Sequence, residues 1–119
     1  MQKVAVIVFS DLNESHEALA RVVNALQIVQ EFQEADDDVK LLFDGGGVAS
    51  VAAIAQPDHN LHQVYQKVKP TLMGACAYCA RAFHVKEQLE VAGIPLLSDY
   101  KQHPSVRSLV VDGYQVIPM

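Results

Sequence analysis

The chain has few of the residues that mark nucleic-acid-binding and membrane proteins. Only nine of its 119 residues are Lys or Arg, and its net charge is −5. The basic residues are scattered, so no basic stripe is available to follow a phosphate backbone, and nucleic acid is not an expected partner. The first apolar run, Val4–Phe9, is too short to cross a bilayer and no small-residue cleavage site follows it. We therefore expect a cytoplasmic protein without a membrane partner.

Cysteine is also scarce, with only Cys76 and Cys79, three positions apart. Such a pair cannot build the disulfide framework of a small secreted domain, and in a cytosolic chain it more often binds metal or performs thiol chemistry. A structural zinc site usually brings a second Cys or His pair at short spacing, which is missing here. His59 and His62 have a spacing more typical of solvated surface residues. Neither a metal nor another cofactor is expected.

Half of the residues are apolar, which fits one globular domain over residues 1–119 without a linker or an internal repeat. Apolar runs predict five strands, at Val4–Phe9, Val39–Phe43, Thr71–Ala75, Ile94–Leu97 and Tyr114–Ile117. Helical spacing predicts helices after an Asn13 cap, over 48–55, before Pro70, over 79–92, and from Pro104 to Gly113. This alternation predicts an α/β fold with an open, mostly parallel five-stranded sheet, helices on both faces and the first strand at its centre.

The cysteine pair lies where this fold would place a site. In open parallel sheets ligands gather outside the carboxyl ends of the strands, and the first three predicted strands end at Phe9–Asp11, Asp44–Gly47 and Cys76–Cys79. A cysteine at the start of a helix is expected to have a lowered pKa, because backbone N–H groups favour the thiolate. Cys76 and Cys79 are therefore predicted to be functional thiols. The alternative is that both are buried and only fill space.

Other residues at these strand ends are weaker candidates. The segment from Asp44 through Gly45, Gly46 and Gly47 lacks the Lys-Ser/Thr of a P-loop and the glycine spacing of dinucleotide-binding loops. It is expected to allow close approach of another loop or of a ligand. The candidate substrate-binding residues are Ser10, Asp44, Gly45, Gly46, Gly47 and Tyr78. No histidine is selected as a base from among His16, His59, His62, His84 and His103.

Five stretches carry a family resemblance: Phe43–Val48, Pro57–His59, Gly74–Phe83, His103–Ser105 and Gly113–Ile117. Together they resemble the DsrE/DsrF-like family over nearly the whole chain, most specifically at the strand-then-cysteine junction and the closing Gly-Tyr-Gln-Val-Ile strand. The resemblance implies a Rossmann-like fold and assembly into homotrimers or hexamers. It also implies, for some members, a cysteine after the third main strand that carries sulfur as a persulfide.

Cys76 matches the sulfur-carrying position of that family. Cys79 matches a second cysteine found in part of the family, with a role as resolving or helper thiol. The chain departs from the family pattern at His84, where glycine is expected. That difference bears on whether a tight turn is kept there.

Three functions follow as hypotheses. The first is an intracellular sulfur carrier, a sulfurtransferase that takes sulfur from a donor protein and passes it to an acceptor protein. The second is a Cys-x-x-Cys dithiol redox module, although the chain has no Trp-Cys-Gly-Pro-Cys. The third is a non-catalytic oligomeric protein that binds a small ligand or serves a structural role.

Overall fold

The computed structural model describes residues 1–119. Its strands are β1 (Lys3–Val8), β2 (Asp38–Phe43), β3 (Leu72–Cys76), β4 (Leu96–Leu97) and β5 (Gln115–Pro118). Its helices are α1 (His16–Glu34), α2 (Gly47–Ile54), α3 (His62–Val68), α4 (Ala77–Ala82), α5 (Lys86–Val91) and α6 (Val106–Val111), and a 3₁₀ turn covers Lys69–Thr71. All five strands are parallel, in the order β4-β3-β2-β1-β5. The predicted α/β fold with an open five-stranded sheet is confirmed.

The strand order explains how the helices are distributed. From β1 to β4 each new strand is added next to the previous one, always in the same direction across the sheet. Because the crossovers are right-handed, every helix that connects these strands lies on the same face of the sheet. The chain next returns to the opposite edge, where β5 pairs with β1, so α6 covers the other face. Helices therefore lie on both faces, as predicted, but unevenly. None of them is long and apolar enough to span a bilayer.

The prediction that β1 is the central strand is wrong, because β2 occupies the centre. Both strands read as apolar runs. Interior strands of a sheet have this pattern because they are buried on both faces. The pattern therefore does not show whether β1 or β2 is the central strand.

The core is divided by the sheet. Alternating side chains of β1 point to opposite faces, with Val4, Val6 and Val8 on the α1–α5 face. That face holds a cluster of 22 buried residues. The α6 face holds a buried cluster of only four residues, Ala5, Ile7, Leu42 and Leu109. The α1–α5 face is therefore the main hydrophobic core, and Cys76 belongs to it.

Three predicted helix boundaries are wrong. The last helix, predicted from Pro104, begins at Val106 because the Ser105 side chain caps it. Helix α1 is capped by Ser15, whose side chain accepts the Ala18 N–H, and not by Asn13. The helix predicted over 79–92 is two helices, because α4 ends in a reversal at His84, which has a left-handed φ of 59°. The Val85 N–H bonds to the Ala80 carbonyl across this turn, a Schellman arrangement that normally takes glycine. The tight turn is thus kept with histidine in the glycine position.

Candidate functional site

Four chemically active side chains converge at the carboxyl edge of the sheet. Asp44 follows β2, Cys76 ends β3, Cys79 lies in the first turn of α4, and His103 lies in the loop between β4 and α6. One sulfur, nitrogen or oxygen atom from each of the four lies within 4.8 Å of the others. We call these four residues the thiol cluster. The loops after β2 and β3 meet there, and a third loop adds a histidine.

Cys76 is the inner thiol of the cluster. Its side chain is 0 % exposed, and its Sγ lies 3.2 Å from His103 Nδ1. The Cys79 backbone N–H donates to the same sulfur at 3.4 Å. The Gln102 carbonyl oxygen lies farther away, at 3.8 Å. The thiol therefore faces an imidazole nitrogen within hydrogen-bond reach while a backbone amide supports the sulfur.

The environment of Cys76 does not lower its pKa, so that expectation is wrong. Burial raises the pKa of the Cys76 thiol well above its usual value, and the nearby side chains of Cys79 and Asp44 raise it further. The Cys79 backbone N–H acts in the opposite direction. Helix α4 has only six residues, and the effect of its N-terminus does not offset the loss of water around the sulfur.

Cys79 is the outer thiol. It is partly exposed, and its Sγ lies 3.5 Å from Asp44 Oδ1, to which the thiol donates. The same carboxylate oxygen accepts the Gly45 N–H at 2.8 Å. Solvent and partner molecules can therefore reach Cys79 but not Cys76. The two cysteines differ in access as well as in their hydrogen-bond partners.

His103 is held in place by a tight reversal of the chain, the Tyr100–His103 turn. Tyr100 and His103 exchange two backbone hydrogen bonds of 2.8 Å. Between them, Lys101 and Gln102 have left-handed φ values of 49° and 69°. Two consecutive non-glycine residues in this region are strained, and such strain is retained where the surrounding structure imposes it.

Helix α4 holds this turn down. The Tyr78 N–H donates to the Gln102 carbonyl at 2.9 Å, and the Arg81 guanidinium donates to the Gln102 side chain. The Tyr78 ring stacks on the His103 imidazole with a centroid distance of 4.8 Å. Tyr78, predicted as a substrate-binding residue, thus lies beside the cluster and orients His103 over Cys76.

The glycines after Asp44 allow close backbone packing and hydrogen bonds within the loop. A Cβ on Gly47 would lie 1.9 Å from the Val8 carbonyl oxygen, so glycine is required where α2 starts against β1. The Gly45 N–H bonds to the Asp44 carboxylate and the Gly47 N–H to the Asp44 carbonyl. These two amides are used inside the loop and are not free to hold an anion. Gly46 packs against Asp11, and a Cβ added to it would lie only 3.1 Å from the Asp11 backbone nitrogen, which is a crowded contact.

The remaining sequence candidates lie outside the thiol cluster. The Ser10 hydroxyl donates to the Met119 carbonyl at 2.8 Å and so joins the ends of β1 and β5. His59 Nδ1 accepts the Leu61 N–H, and His62 Nδ1 lies 2.9 Å from the Ile54 carbonyl oxygen. His16 begins α1, and His84 forms the turn after α4. None of these four histidines belongs to the cluster.

The comparisons with known proteins bear on the fold. The chain matches no known protein-family profile. It is 27 % identical over 117 residues to an uncharacterized protein of Methanocaldococcus jannaschii, a match that covers 98 % of this chain and 95 % of that protein. A solved structure of a conserved protein of unknown function from Bacteroides thetaiotaomicron is similar with a TM-score of 0.65 and 12 % identity, over 98 % of this chain and 95 % of that one. At this identity the structural likeness shows a shared fold alone.

Proposed function

We propose that this protein is a sulfur carrier that holds sulfane sulfur as a persulfide on its cysteine pair. The observation that carries the proposal is the 3.2 Å contact between Cys76 Sγ and His103 Nδ1. A thiol within hydrogen-bond reach of a base is the arrangement of an activated nucleophile. The second thiol, on Cys79, lies in the same cluster and supplies a route to the buried one.

In the proposed mechanism His103 is the base for Cys76. Because burial raises the Cys76 pKa, the resting residue is a thiol. His103 Nδ1 takes its proton only as the sulfur attacks, and the Cys79 N–H stabilises the negative charge that develops on the sulfur. The Tyr78 ring and the Tyr100–His103 turn keep the imidazole in this position. A persulfide on Cys76 would be shielded from water and from stray thiols, because that residue is fully buried.

Sulfur enters at Cys79, since this is the thiol with exposed surface. The Cys79 sulfur attacks the terminal sulfur of a donor persulfide, so that one S–S bond forms and one breaks. The donor leaves as a thiolate and takes up the proton that Cys79 gives up. The Cys76 sulfur, whose proton passes to His103, then attacks the terminal sulfur of the Cys79 persulfide. Cys79 leaves as a thiolate and receives that proton from His103. Neither step is a net oxidation or reduction. Delivery to an acceptor thiol is the reverse sequence.

The proposed setting follows the sequence resemblance. We place the protein in the DsrE/DsrF-like family, in the cytoplasm, where thiols are kept reduced, as a homotrimer or hexamer with donor and acceptor proteins. The exposed apolar side chains of Val110 and Val111 on α6 favour an assembly that covers them. Size-exclusion chromatography with light scattering tests this, and a monomer at micromolar concentration would contradict it.

The test of sulfur transfer is intact mass after incubation with inorganic polysulfide. The reduced wild-type protein should gain one sulfur atom that a thiol reductant removes. Cys79→Ala should load slowly, because its remaining thiol is buried, and the double variant Cys76→Ala/Cys79→Ala should gain nothing. No mass gain in the wild type, or an equal gain in the double variant, would rule the proposal out.

A dithiol redox module is a second candidate, favoured by the closeness of the two sulfurs within 4.8 Å. A disulfide between Cys76 and Cys79 requires a modest side-chain movement to the bond length of about 2.05 Å. Titration in glutathione buffers with mass detection after alkylation distinguishes it. A reversible two-electron couple without sulfur loading would favour the redox function.

A further inference from the structure

We propose that the thiol cluster is also a binding site for one zinc-class divalent cation, ligated by Asp44, Cys76, Cys79 and His103. The donors are two sulfurs, one imidazole nitrogen and one carboxylate oxygen. This is a donor set that tetrahedral Zn²⁺ accepts. The sequence does not suggest it because the cysteines have no second ligand pair nearby in the chain. The third and fourth ligands come from two other loops.

The distances suit a tetrahedral ion. With ordinary Zn–S, Zn–N and Zn–O bond lengths, donor atoms in such a site lie about 3.3 to 3.8 Å apart. Cys76 Sγ lies 3.2 Å from His103 Nδ1, and Cys79 Sγ lies 3.5 Å from Asp44 Oδ1. Every other donor pair lies within 4.8 Å, so adjustments of at most about 1.5 Å between donor atoms would close the site around an ion.

The ligands already have the outer contacts that orient metal ligands. The Asp44 carboxylate accepts the Gly45 N–H, and Cys76 Sγ accepts the Cys79 N–H. The His103 ring is stacked against Tyr78. Such outer partners fix ligand orientation and contribute to metal affinity.

Metal binding balances in charge. In the metal-free protein the Cys76 thiol faces His103 and the Cys79 thiol donates to Asp44. A divalent cation replaces these two thiol protons, which are released to solvent, and no redox change occurs. The net charge of the cluster is the same before and after binding. The site therefore accepts a dication without gaining a net buried charge.

The metal and the persulfide would use the same sulfur atoms, so they are mutually exclusive. A bound cation occupies the lone pairs with which Cys76 and Cys79 would attack a sulfur donor. The metal-bound protein is then protected from alkylation and from sulfur loading. The metal site itself does not depend on the proposed sulfur transfer.

The test uses the full chain, reduced with a phosphine and freed of metal by a chelator. Titration with Co²⁺ should saturate at one equivalent and give the visible bands of tetrahedral cobalt with thiolate-to-cobalt charge transfer. Zn²⁺ should then displace the cobalt. Cys79→Ser should weaken the charge-transfer band, because only the Cys76 thiolate remains as a sulfur ligand. It should also lower cobalt affinity more than the roughly 10- to 100-fold typical of lost outer-shell partners.

His103→Asn is the decisive variant, with His84→Asn as its matched control. His84 is exposed and outside the cluster, and asparagine tolerates its left-handed backbone. Cobalt affinity should fall at least about tenfold in the first variant and stay unchanged in the control. Far-ultraviolet circular dichroism identifies a misfolded variant. If His103→Asn is misfolded, Asp44→Asn replaces it, with Asp58→Asn as control because Asp58 is exposed and outside the cluster.

Three results would overturn the metal site: no stoichiometric binding, an octahedral cobalt spectrum without charge transfer, or equal affinities for His103→Asn and its control. The same metal-free protein is also loaded with polysulfide. Cobalt binding without sulfur loading would refute the sulfur-carrier function and leave the metal site standing. Sulfur loading without cobalt binding would do the reverse.

Discussion

Replacing Tyr78 by alanine should loosen the Tyr100–His103 turn and expose the Cys76 thiol. The wild-type side chain is 52 % exposed and stacks on His103 at 4.8 Å. An aromatic pair of this kind contributes about 0.5 to 1.5 kcal/mol beyond area burial. The backbone bond from residue 78 to the Gln102 carbonyl does not depend on the side chain. The substitution thus removes the stacking and leaves the other restraints in place.

The expected effect is a faster reaction of Cys76 with iodoacetamide. Cys76 is fully buried, so its alkylation rate follows the small population in which the turn is open. Loss of the stacking energy should raise that population about 2- to 12-fold. Because half of the Tyr78 surface is already exposed, we expect the lower part of this range.

The assay is alkylation followed by intact mass, in a Cys79→Ala background so that only Cys76 can react. Tyr78→Phe is the matched control, because it keeps the ring and removes a hydroxyl that has no hydrogen-bond partner within the chain. Urea unfolding measures the global free energy of unfolding of each protein. Equal rates in Tyr78→Ala and Tyr78→Phe, or an increase fully explained by global unfolding, would refute the role given to Tyr78.

Three further predictions concern stability and ionisation. Ser15→Ala should lower the free energy of unfolding by about 1 kcal/mol, because it removes the cap of α1. Asn13→Ala should lower it clearly less. Equal losses of the two variants in urea titrations would contradict the cap assignment. Gly47→Ala should destabilise by about 1 to 3 kcal/mol or more, since its Cβ would overlap a β1 carbonyl oxygen, and an unchanged urea midpoint would contradict that contact. The hydrogen bond to Asp38 raises the pKa of Tyr114 from 10.0 to about 12. The contribution of this bond to the free energy of unfolding is therefore complete below pH 10 and is lost as the pH rises to about 12. Ultraviolet titration of Asp38→Asn should show the Tyr114 pKa falling toward its ordinary value.

Much of the architecture could be predicted from local pattern. Apolar runs such as Val4–Phe9 and Val39–Phe43 identified buried strands to within a residue or two, because strand burial on both faces leaves an unbroken apolar run. The junction of β3 with α4 at Cys76 and Cys79 was likewise predicted from the strand-to-helix change in pattern. The Ser15 cap could not be predicted, because several polar residues near a helix end can cap it equally well. The break at His84 could not be predicted either, because residues other than glycine rarely adopt a left-handed φ.

The sequence by itself determined the α/β class and the location of two thiols at the carboxyl edge of a parallel sheet. Only the tertiary structure decided that β2 is the central strand. It brought His103 to the sulfur of Cys76, which lies 27 residues earlier in the chain. In the same way it brought Asp44 to the sulfur of Cys79, which lies 35 residues later. It also decided that Cys76 is buried while Cys79 is partly exposed. The physical reason is range: local spacing specifies contacts within one turn or strand, whereas strand order and loop packing decide which distant side chains share a low-dielectric site.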